Sequence, residues 1–388
     1  MPSPLKSELI LGIETSCDET AAAVLRGPRD VLSNIIASQV PIHRRFGGVV
    51  PELASRQHIL AIDTVVTEAL CTAGVTLPEL GGIAVTFGPG LVGSLLIGVS
   101  VAKSLAMVHE LPLAAVNHHE GHIQSVFIEH ADIPLPMIML MVSGGDTSLY
   151  LIPEPGAYRP LAHTRDDAAG EAYDKVSKLL GLGYPGGPII DRLAKLGDPK
   201  AVAFTRPRMS DGTLDFSFSG MKTAVLRYVQ ANDIRPISSD TNAGGHAAAS
   251  KPRELHGHAT TDVFPASNGG GAESPVRDVR DVQDVPARVL DLLASFQESL
   301  VQYLIDHTVK AARLHQARSI GLSGGVACNS RLREAARQTG ERLGIPVFFP
   351  SPMLTTDNGA MIASAGYHHL IQGRRAGYSL NADPGARL

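Results

Sequence analysis

The sequence predicts an α/β fold with two related lobes around a nucleotide-binding cleft. A strand pattern, a short polar turn and a second strand pattern span residues 9–25, and the same arrangement recurs at 137–152. A third turn of this kind follows the strand pattern at 319–322. Repetition of one supersecondary unit indicates a duplicated architecture, and two such turns facing each other suit a bound nucleotide. We therefore predict an N-terminal lobe at 1–135 and a C-terminal lobe at 136–388.

The composition narrows the class of protein. Hydrophobic residues make up 44% of the 388 residues, charged residues make up 19%, and the net charge is -4. Such a chain is globular and is not basic throughout, so contact with nucleic acid would need a local patch. Three scattered cysteines exclude a disulfide framework and favour a reducing compartment. Because there is no apolar run near the ~20 residues of a membrane span and no signal-peptide core, we expect a cytoplasmic protein without membrane contact.

The first polar turn, at 14–20, includes Asp18 and Glu19 and lies between the strand patterns at 9–13 and 21–25. Hydroxyl groups, acids and backbone N–H groups at such a turn can hold a phosphate or a metal-bound phosphate. An ordinary polar hairpin has the same pattern. The recurrence of the arrangement later in the chain favours the phosphate interpretation.

The second turn follows the most hydrophobic strand pattern of the chain, at 137–142, and begins with Ser143, Gly144 and Gly145. The third turn, at 323–329, has a similar run of small residues and ends at an asparagine. A Walker A loop needs Lys-Ser or Lys-Thr after its second glycine, and no turn here has that pair. The sequence thus predicts nucleotide-binding turns that differ from a P-loop.

The densest group of reactive side chains lies at 117–122, where three histidines begin a predicted helix at the end of a strand pattern. His118 and His122 are four residues apart, so they share one helical face, the spacing of a two-histidine metal site. His119 is three residues from His122 and competes for the same role. A pair of solvated helix histidines is the alternative. The zinc-protease pattern His-Glu-x-x-His is absent, because Ile123 stands where its second histidine should be.

A metal ion held by two imidazoles needs a further ligand from elsewhere in the chain. Asp357 lies in a loop that enters a predicted helix, where a carboxylate either caps the helix or faces an ion. Acids at 166–175, including Asp174, are also commonly helix caps. The Tyr-Pro-Gly-Gly-Pro turn at 184–188 is different, because its glycines let the backbone approach a ligand closely.

Two other features concern the surface. Residues 236–286 have too few apolar side chains to offset an ordering cost of ~1–2 kcal/mol per residue, so we predict a disordered surface insertion. Two groups of arginines give local positive charge in an acidic protein and are candidates for phosphate contacts, with solvated surface as the alternative. These groups are Arg44, Arg45 and Arg56, and Arg331, Arg333 and Arg337.

Together these stretches resemble the TsaD family, whose members install threonylcarbamoyl on tRNA. Met221 stands where leucine is usual in the family, and the insertion at 236–286 is atypical. Outside that insertion, the matching stretches follow the family order over nearly the whole chain: 12–20, 47–52, 118–122, 142–145, 184–188, 218–223, 323–329 and 356–360.

The resemblance implies an actin-like ATPase (ASKHA) fold, α/β and two-lobed, with duplicated ribonuclease H-like subdomains. It implies a tRNA N6-adenosine threonylcarbamoyltransferase, in which N6 of adenosine 37 attacks threonylcarbamoyl-adenylate and AMP leaves. One divalent ion per subunit, iron or zinc, would be held by His118, His122 and Asp357, and Asp18 and Glu19 are further catalytic candidates. The residues that would hold the adenylate are Met141, Val142, Ser143, Gly144, Gly145, Asp174, Gly187, Asp191 and Asn329.

The resemblance also implies partners. These are tRNA, TsaB-like and TsaE-like proteins, and a TsaC-like synthase that supplies the adenylate, with ATP as a second candidate nucleotide. The main alternative function is an actin-like ATPase or kinase that acts on the γ-phosphate of ATP. A metallopeptidase is disfavoured by the histidine spacing, and a binding subunit without chemistry is disfavoured by the number of polar loops.

Overall fold

Two five-stranded sheets organise the chain in the computed structural model, which describes residues 5–207, 209, 211–237 and 285–388. The predicted insertion at 236–286 lies outside the described residues except at its two ends. At those ends, the N–H of Ile237 donates to the Leu180 carbonyl oxygen and Val285 is buried.

The first sheet has the strand order β3-β2-β1-β4-β5. Its strands are β1 Leu9–Glu14, β2 Glu19–Arg26, β3 Asp30–Ser38, β4 Gly82–Gly88 and β5 Leu113–Asn117. The helices of this part of the chain are α1 Val40–His43, α2 Pro51–Ala73, α3 Val92–Val108 and α4 His118–Glu129.

The second sheet has the strand order β10-β9-β6-β7-β8. Its strands are β6 Met137–Val142, β7 Thr147–Ile152, β8 Arg159–His163, β9 Ser319–Ser323 and β10 Val347–Phe348. The helices here are α5 Ala169–Leu179, α6 Gly186–Ala194, α7 Ser219–Ala231, α8 Ala287–Leu314, α9 Ser330–Leu343, α10 Pro352–Thr355 and α11 Gly359–Ile371.

The two sheets repeat one topology. In the first, β1 pairs antiparallel with β2 and parallel with β4. In the second, β6 pairs antiparallel with β7 and parallel with β9. The outer strands match as well: β2/β3 and β7/β8 are antiparallel, and β4/β5 and β9/β10 are parallel. β1 to β5 therefore correspond to β6 to β10, and the predicted duplication is confirmed.

The central strands β1 and β6 are buried on both faces, which explains their near-continuous apolar runs. The last helix, α11, packs on the first sheet although it follows the second one in the chain. Gly12 of β1 permits this, because a Cβ there would lie 2.3 Å from the Gly359 carbonyl oxygen. Gly359 is equally restricted, since its Cβ would lie 2.5 Å from the backbone of Ala22 and Ala23. The two glycines seat the start of α11 against the sheet. The lobe boundary at 135/136 stays a prediction.

Among the helices in the described ranges, none combines the length and the apolar character that crossing a membrane requires.

Candidate metal centre

The histidine helix α4 begins where β5 ends, as the sequence predicts. Asn117 is the last residue of β5, and its side-chain oxygen accepts the His119 N–H at 2.9 Å, which caps the helix. His118 and His122 then lie one turn apart on the same face, with ring centroids 4.7 Å apart. The side chains of both residues are largely withdrawn from solvent, so the interpretation as a solvated histidine pair is wrong.

Asp357 meets this pair from the loop before α11. Its Oδ1 atom lies 3.0 Å from Nε2 of His122 and 3.6 Å from Nε2 of His118. One ligand atom from each of the three residues lies within 4.8 Å of the others. The capping role at the start of α11 belongs instead to Asn358, whose side-chain oxygen accepts the Met361 N–H at 3.0 Å.

Glu14 orients His118 from the end of β1. Its fully buried carboxylate lies with Oε2 3.1 Å from Nδ1 of His118, and the same oxygen accepts the Thr86 hydroxyl at 2.6 Å. Nδ1–H of His118 therefore donates to Glu14, which leaves Nε2 directed toward Asp357. A carboxylate behind the imidazole is the usual support of a metal-binding histidine.

The electrostatics of the group follow from these contacts. Burial lowers the pKa of His118, but the carboxylates of Glu14 and Asp357 outweigh it and raise that pKa to about 9. Burial raises the pKa of Asp357, but His118 and His122 outweigh it and lower that pKa to about 2. The pKa of Glu14 is also lowered, since the nearby His118 outweighs burial. The group thus keeps two carboxylates negative inside the fold, a field that favours a cation.

A metal ion fits these residues. Both ring nitrogens of His122 are buried. Nε2 lies 3.0 Å from Asp357 Oδ1, and Nδ1 has no hydrogen-bond partner in the described part of the chain. An imidazole nitrogen that is buried without a partner is costly unless it binds something. Two imidazoles and one carboxylate form a donor set that suits zinc or iron and leaves coordination positions open.

His119 does not join this group. Its Nδ1 atom lies 3.0 Å from the Tyr150 hydroxyl of β7, so the ring faces the second sheet. Burial, together with His118 and His122, lowers the pKa of His119 to about 3. The structure therefore favours His118 over His119 as the partner of His122.

Asp18 and Glu19 lie beside the group and not in it. The Glu19 carboxylate accepts the Ser38 hydroxyl at 3.0 Å, and the Asp18 carbonyl oxygen accepts the Gln39 N–H at 2.9 Å. Burial and the neighbouring charges of Asp18 and Asp357 raise the pKa of Glu19 to about 9. The raised pKa favours the neutral form of the Glu19 carboxyl group.

The turn after β6 leaves open space beside its glycines, whereas the turn after β1 begins at Glu14, which contacts His118. The Ser143 hydroxyl oxygen accepts the N–H of Asp146 at 3.0 Å and that of Gly145 at 3.3 Å, which fixes a tight turn. Gly144 and Gly145 are exposed, and a Cβ on either would meet no atom within 4 Å. The side chains of Met141 and Val142 are fully buried in β6, so only their backbone is left to meet a ligand.

The remaining predicted adenylate residues hold neighbouring backbone in place. Asp174 accepts the Gly186 N–H at 2.7 Å, at the start of α6. Asp191 accepts the backbone N–H and the hydroxyl of Ser330, at 3.2 and 2.9 Å. These contacts join α5, α6 and α9.

Two more adenylate candidates differ in what surrounds them. Asn329 caps α9 by accepting the Leu332 N–H at 2.9 Å and donates to Gln297 at 2.8 Å. Gly187 follows Gly186 at the start of α6, and a Cβ there would meet no atom within 4 Å.

The two groups of arginines differ in their surroundings. Arg44, Arg45 and Arg56 are exposed. Arg331 instead forms a two-pronged ion pair with Glu298, at 2.6 and 2.9 Å, and Arg333 donates to two backbone carbonyl oxygens. Arg337 lies over the ring of Phe349. Arg331 and Arg333 are therefore already used within the fold, whereas Arg337 is exposed like the first group, in which Arg44 donates to the Tyr184 carbonyl oxygen at 3.1 Å.

Sequence reasoning missed Glu14, which contacts His118, and Tyr150, which contacts His119 beside the site. Glu14 ends an apolar strand and is fully buried, and an acid at the end of such a run was the available signal. Tyr150 lies in a buried strand of the other sheet, and no local pattern relates it to His119.

The repeated topology and the His-His-Asp group define a class, a two-lobed α/β protein of the actin-like ATPase fold with a candidate metal site. Solved structures agree on the fold. HypF from T. kodakarensis superposes with a TM-score of 0.56 at 15% identity, covering 98% of this chain and 50% of that one. Component A of the (R)-2-hydroxyglutaryl-CoA dehydratase of Acidaminococcus fermentans gives a TM-score of 0.50 at 14% identity, covering 95% and 100%. These likenesses show the fold alone.

The family follows from the sequence comparisons. The family model for TsaD, tRNA N6-adenosine threonylcarbamoyltransferase, matches residues 30–364. A protein of that name from Clostridium perfringens is 46% identical over 384 residues, 99% of each chain. Another, from Anaeromyxobacter, is 48% identical over 380 residues, covering 98% of this chain and 99% of the relative. The chain belongs to the TsaD family, and the predictions of family, fold class and enzyme class are confirmed.

Proposed function

We propose that this chain transfers threonylcarbamoyl from threonylcarbamoyl-adenylate to N6 of adenosine 37, in tRNAs that read codons beginning with A. The observation that carries the proposal is the convergence of His118, His122 and Asp357, whose ligand atoms lie within 4.8 Å of one another. An actin-like ATPase or kinase has no need of such a group, whereas membership of the TsaD family supports the transfer.

We infer that these three residues hold one divalent ion, iron or zinc. A bound ion would act as a Lewis acid toward the threonylcarbamoyl group or its neighbouring phosphate. Glu14 supports this role, because it fixes the ring of His118 through Nδ1 and leaves Nε2 for coordination.

We infer that the second lobe holds the adenylate. Gly144 and Gly145 are open to an incoming ligand, so their backbone can come close to it. Gly187 lies in the first turn of α6, where the helix dipole favours a phosphate and Asp174 already accepts the Gly186 N–H. Asp174 and Asp191 keep the starts of α6 and α9 in position for this contact.

The chain's part in the reaction is mostly positioning. In the transfer, N6 bonds to the carbamoyl carbon, the bond from that carbon to the phosphate oxygen breaks, and AMP leaves with the electron pair. N6 also loses a proton. We assign Asp18 as its acceptor, because Asp18 is half-buried in the turn that follows β1, the strand whose last residue, Glu14, contacts His118. A neutral Glu19 carboxyl group is suited to donate a hydrogen bond and not to accept a proton.

We further propose that the chain works in the cytoplasm with TsaB-like and TsaE-like proteins, and that a TsaC-like synthase supplies the adenylate. Membership of the TsaD family supports this proposal. ATP is a second nucleotide that the loops of the second lobe would accept.

The test is nucleoside analysis of tRNA after incubation with the chain, threonine, bicarbonate, ATP and the three partner proteins. We expect threonylcarbamoyl-adenosine in the tRNA digest, and none when the chain is omitted. The His122→Ala variant should form no modified nucleoside. The control variant His315→Ala changes a half-buried residue directly after α8 and should form it as the parent does. Release of phosphate from ATP with no modified nucleoside would favour the ATPase instead.

A further inference from the structure

The three candidate metal ligands come from α4 and from the loop directly before α11. His118 and His122 belong to the first two turns of α4, and Asp357 lies two residues before α11. The distance from Asp357 to the histidines therefore depends on how α4 and α11 are placed against each other. A misplacement of about 1 Å is large for a metal site.

Glu120 and His369 join these helices on the side away from the ligands. Glu120 is two residues from each histidine, which puts it about 200° around α4 from both. Its two carboxylate oxygens lie 3.0 and 2.9 Å from Nε2 of His369 in the last turn of α11. The pair is buried, with 4% exposure for Glu120 and 8% for His369.

The helices are also in close contact at Gly121. A Cβ there would lie 2.8 Å from Cδ1 of Ile362 and 3.2 Å from Cγ of Met361. The absent side chain lets α11 approach α4, but contacts without direction leave sliding and rotation weakly restricted. The Glu120–His369 hydrogen bonds have direction and supply that restriction.

A shift of α11 would carry Asp357 with it. Asn358, the next residue, caps α11 through Met361 and donates to the Thr356 carbonyl oxygen at 2.7 Å. Asp357 is thus tied to the start of the helix by its own neighbour.

We propose that Glu120 and His369 are positioning residues that set the distance between Asp357 and the two metal-binding histidines. This inference rests on the metal site of the proposed function. It predicts that the pair controls metal affinity without touching the ion, as supporting contacts of metal ligands do.

The test is titration of the metal-stripped full chain with Co²⁺, read from the Co²⁺ absorption spectrum. His369→Leu should weaken Co²⁺ binding about 10- to 100-fold and change the spectrum, because Asp357 is no longer held in place. His369→Gln keeps a side-chain N–H donor and should stay within about 5-fold of the parent, well inside that range.

The double variant Glu120→Leu/His369→Leu removes the buried charge along with its partner, so it should fold even where His369→Leu does not. It too should bind Co²⁺ at least about 10-fold more weakly than the parent. Parent-like affinity and spectrum in a folded single or double variant would overturn the positioning role.

His307→Leu is the matched control. His307 is 7% exposed and lies in α8, and its ring donates to the Tyr303 carbonyl oxygen at 2.9 Å. The His307→Leu variant loses a buried histidine hydrogen bond far from the site. Its melting temperature should therefore fall, while its Co²⁺ affinity should equal that of the parent. If His307→Leu weakened Co²⁺ binding as much as His369→Leu does, the effect of His369→Leu would be general destabilisation, and the positioning role would be overturned. A parent that binds no Co²⁺ would overturn the metal site itself, and the positioning role with it.

Discussion

The turns after β1 and β6 occupy equivalent places in the two lobes, but their chemistry differs. After β1, Glu14 is fully buried and pairs with His118, so the turn faces a group of opposite charges. After β6, Gly144 and Gly145 are exposed with open space beside them, and a serine hydroxyl holds the turn. In the proposed function, the charged turn serves the cation and the open turn serves the nucleotide.

Two half-buried acids, Asp357 beside the two histidines and Asp174 in α5, show the same division. Histidines outweigh burial at Asp357 and lower its pKa to about 2. Asp174 accepts a backbone N–H and has no cation among the groups that shift it, so burial raises its pKa to about 6. Loss of the carboxylate should therefore have different effects at these two residues, and three changes test this comparison.

The largest expected effect is that of Asp357→Asn, in the loop before α11 that completes the His-His-Asp group. The change removes an anionic ligand, so bound metal should fall below one tenth of the parent's and transfer to tRNA should drop at least about 100-fold. The fold should survive, because Asn358 and not Asp357 caps α11. Elemental analysis of the purified variant, with nucleoside analysis of tRNA, measures both effects.

A full metal complement in Asp357→Asn would contradict the assignment of that residue. If Asp357 were only a local helix contact, the change would cost at most ~1 kcal/mol of stability and leave the metal in place.

A change in the open turn should affect substrate binding and leave the metal in place. In Gly145→Val, the new side chain meets no protein atom at its Cβ, so stability and metal content should match the parent. The side chain would instead fill space that the adenylate needs, and KM for threonylcarbamoyl-adenylate should rise about 10-fold, the scale of a lost contact of ~1.4 kcal/mol.

Gly377→Val is the control for this change, since Gly377 is exposed in the C-terminal segment and has only the Ser379 hydroxyl nearby, at 3.8 Å. It should keep the parent's KM. Loss of metal in Gly145→Val would show that the two turns are not separate in function.

Much of this division is readable from sequence because it is local. The strand-turn-strand repeats, the helix that starts at His118 and the small residues of the second turn all follow from short patterns. The position of Asp357 beside His122 does not, since it depends on the close seating of α11 at Gly12 and Gly359. Such packing brings together residues about 240 positions apart, and no periodic pattern in the sequence indicates it. The pairing of His119 with Tyr150 is hidden for the same reason, because it joins the two sheets.

The smallest expected effect concerns stability in the second lobe, and Asp174→Asn in α5 tests it. The pKa of Asp174 rises from 3.8 to about 6 on folding, so the folded state binds more protons than the unfolded state between those pH values. Its contribution to stability is present below pH 4 and is lost as pH rises through 6. Asparagine can still accept the Gly186 N–H and has no proton to lose. The free energy of unfolding of the variant, relative to the parent, should therefore rise by about 1 to 2 kcal/mol from pH 4 to pH 7.

Urea unfolding of both proteins at pH 4, 5, 6 and 7 measures this difference, and pH effects from the shared metal site cancel in it. Asp211→Asn is the control of opposite sign. The hydrogen bond from Arg165 lowers the pKa of Asp211 to about 2, so its contribution is lost only as pH falls below 4. Between pH 4 and pH 7 the difference between Asp211→Asn and the parent should stay constant. A constant difference for Asp174→Asn as well would mean that Asp174 is ionised in the fold over this range. Solvent and the Gly186 N–H would then offset burial at this carboxylate, and the contrast between Asp357 and Asp174 would fail.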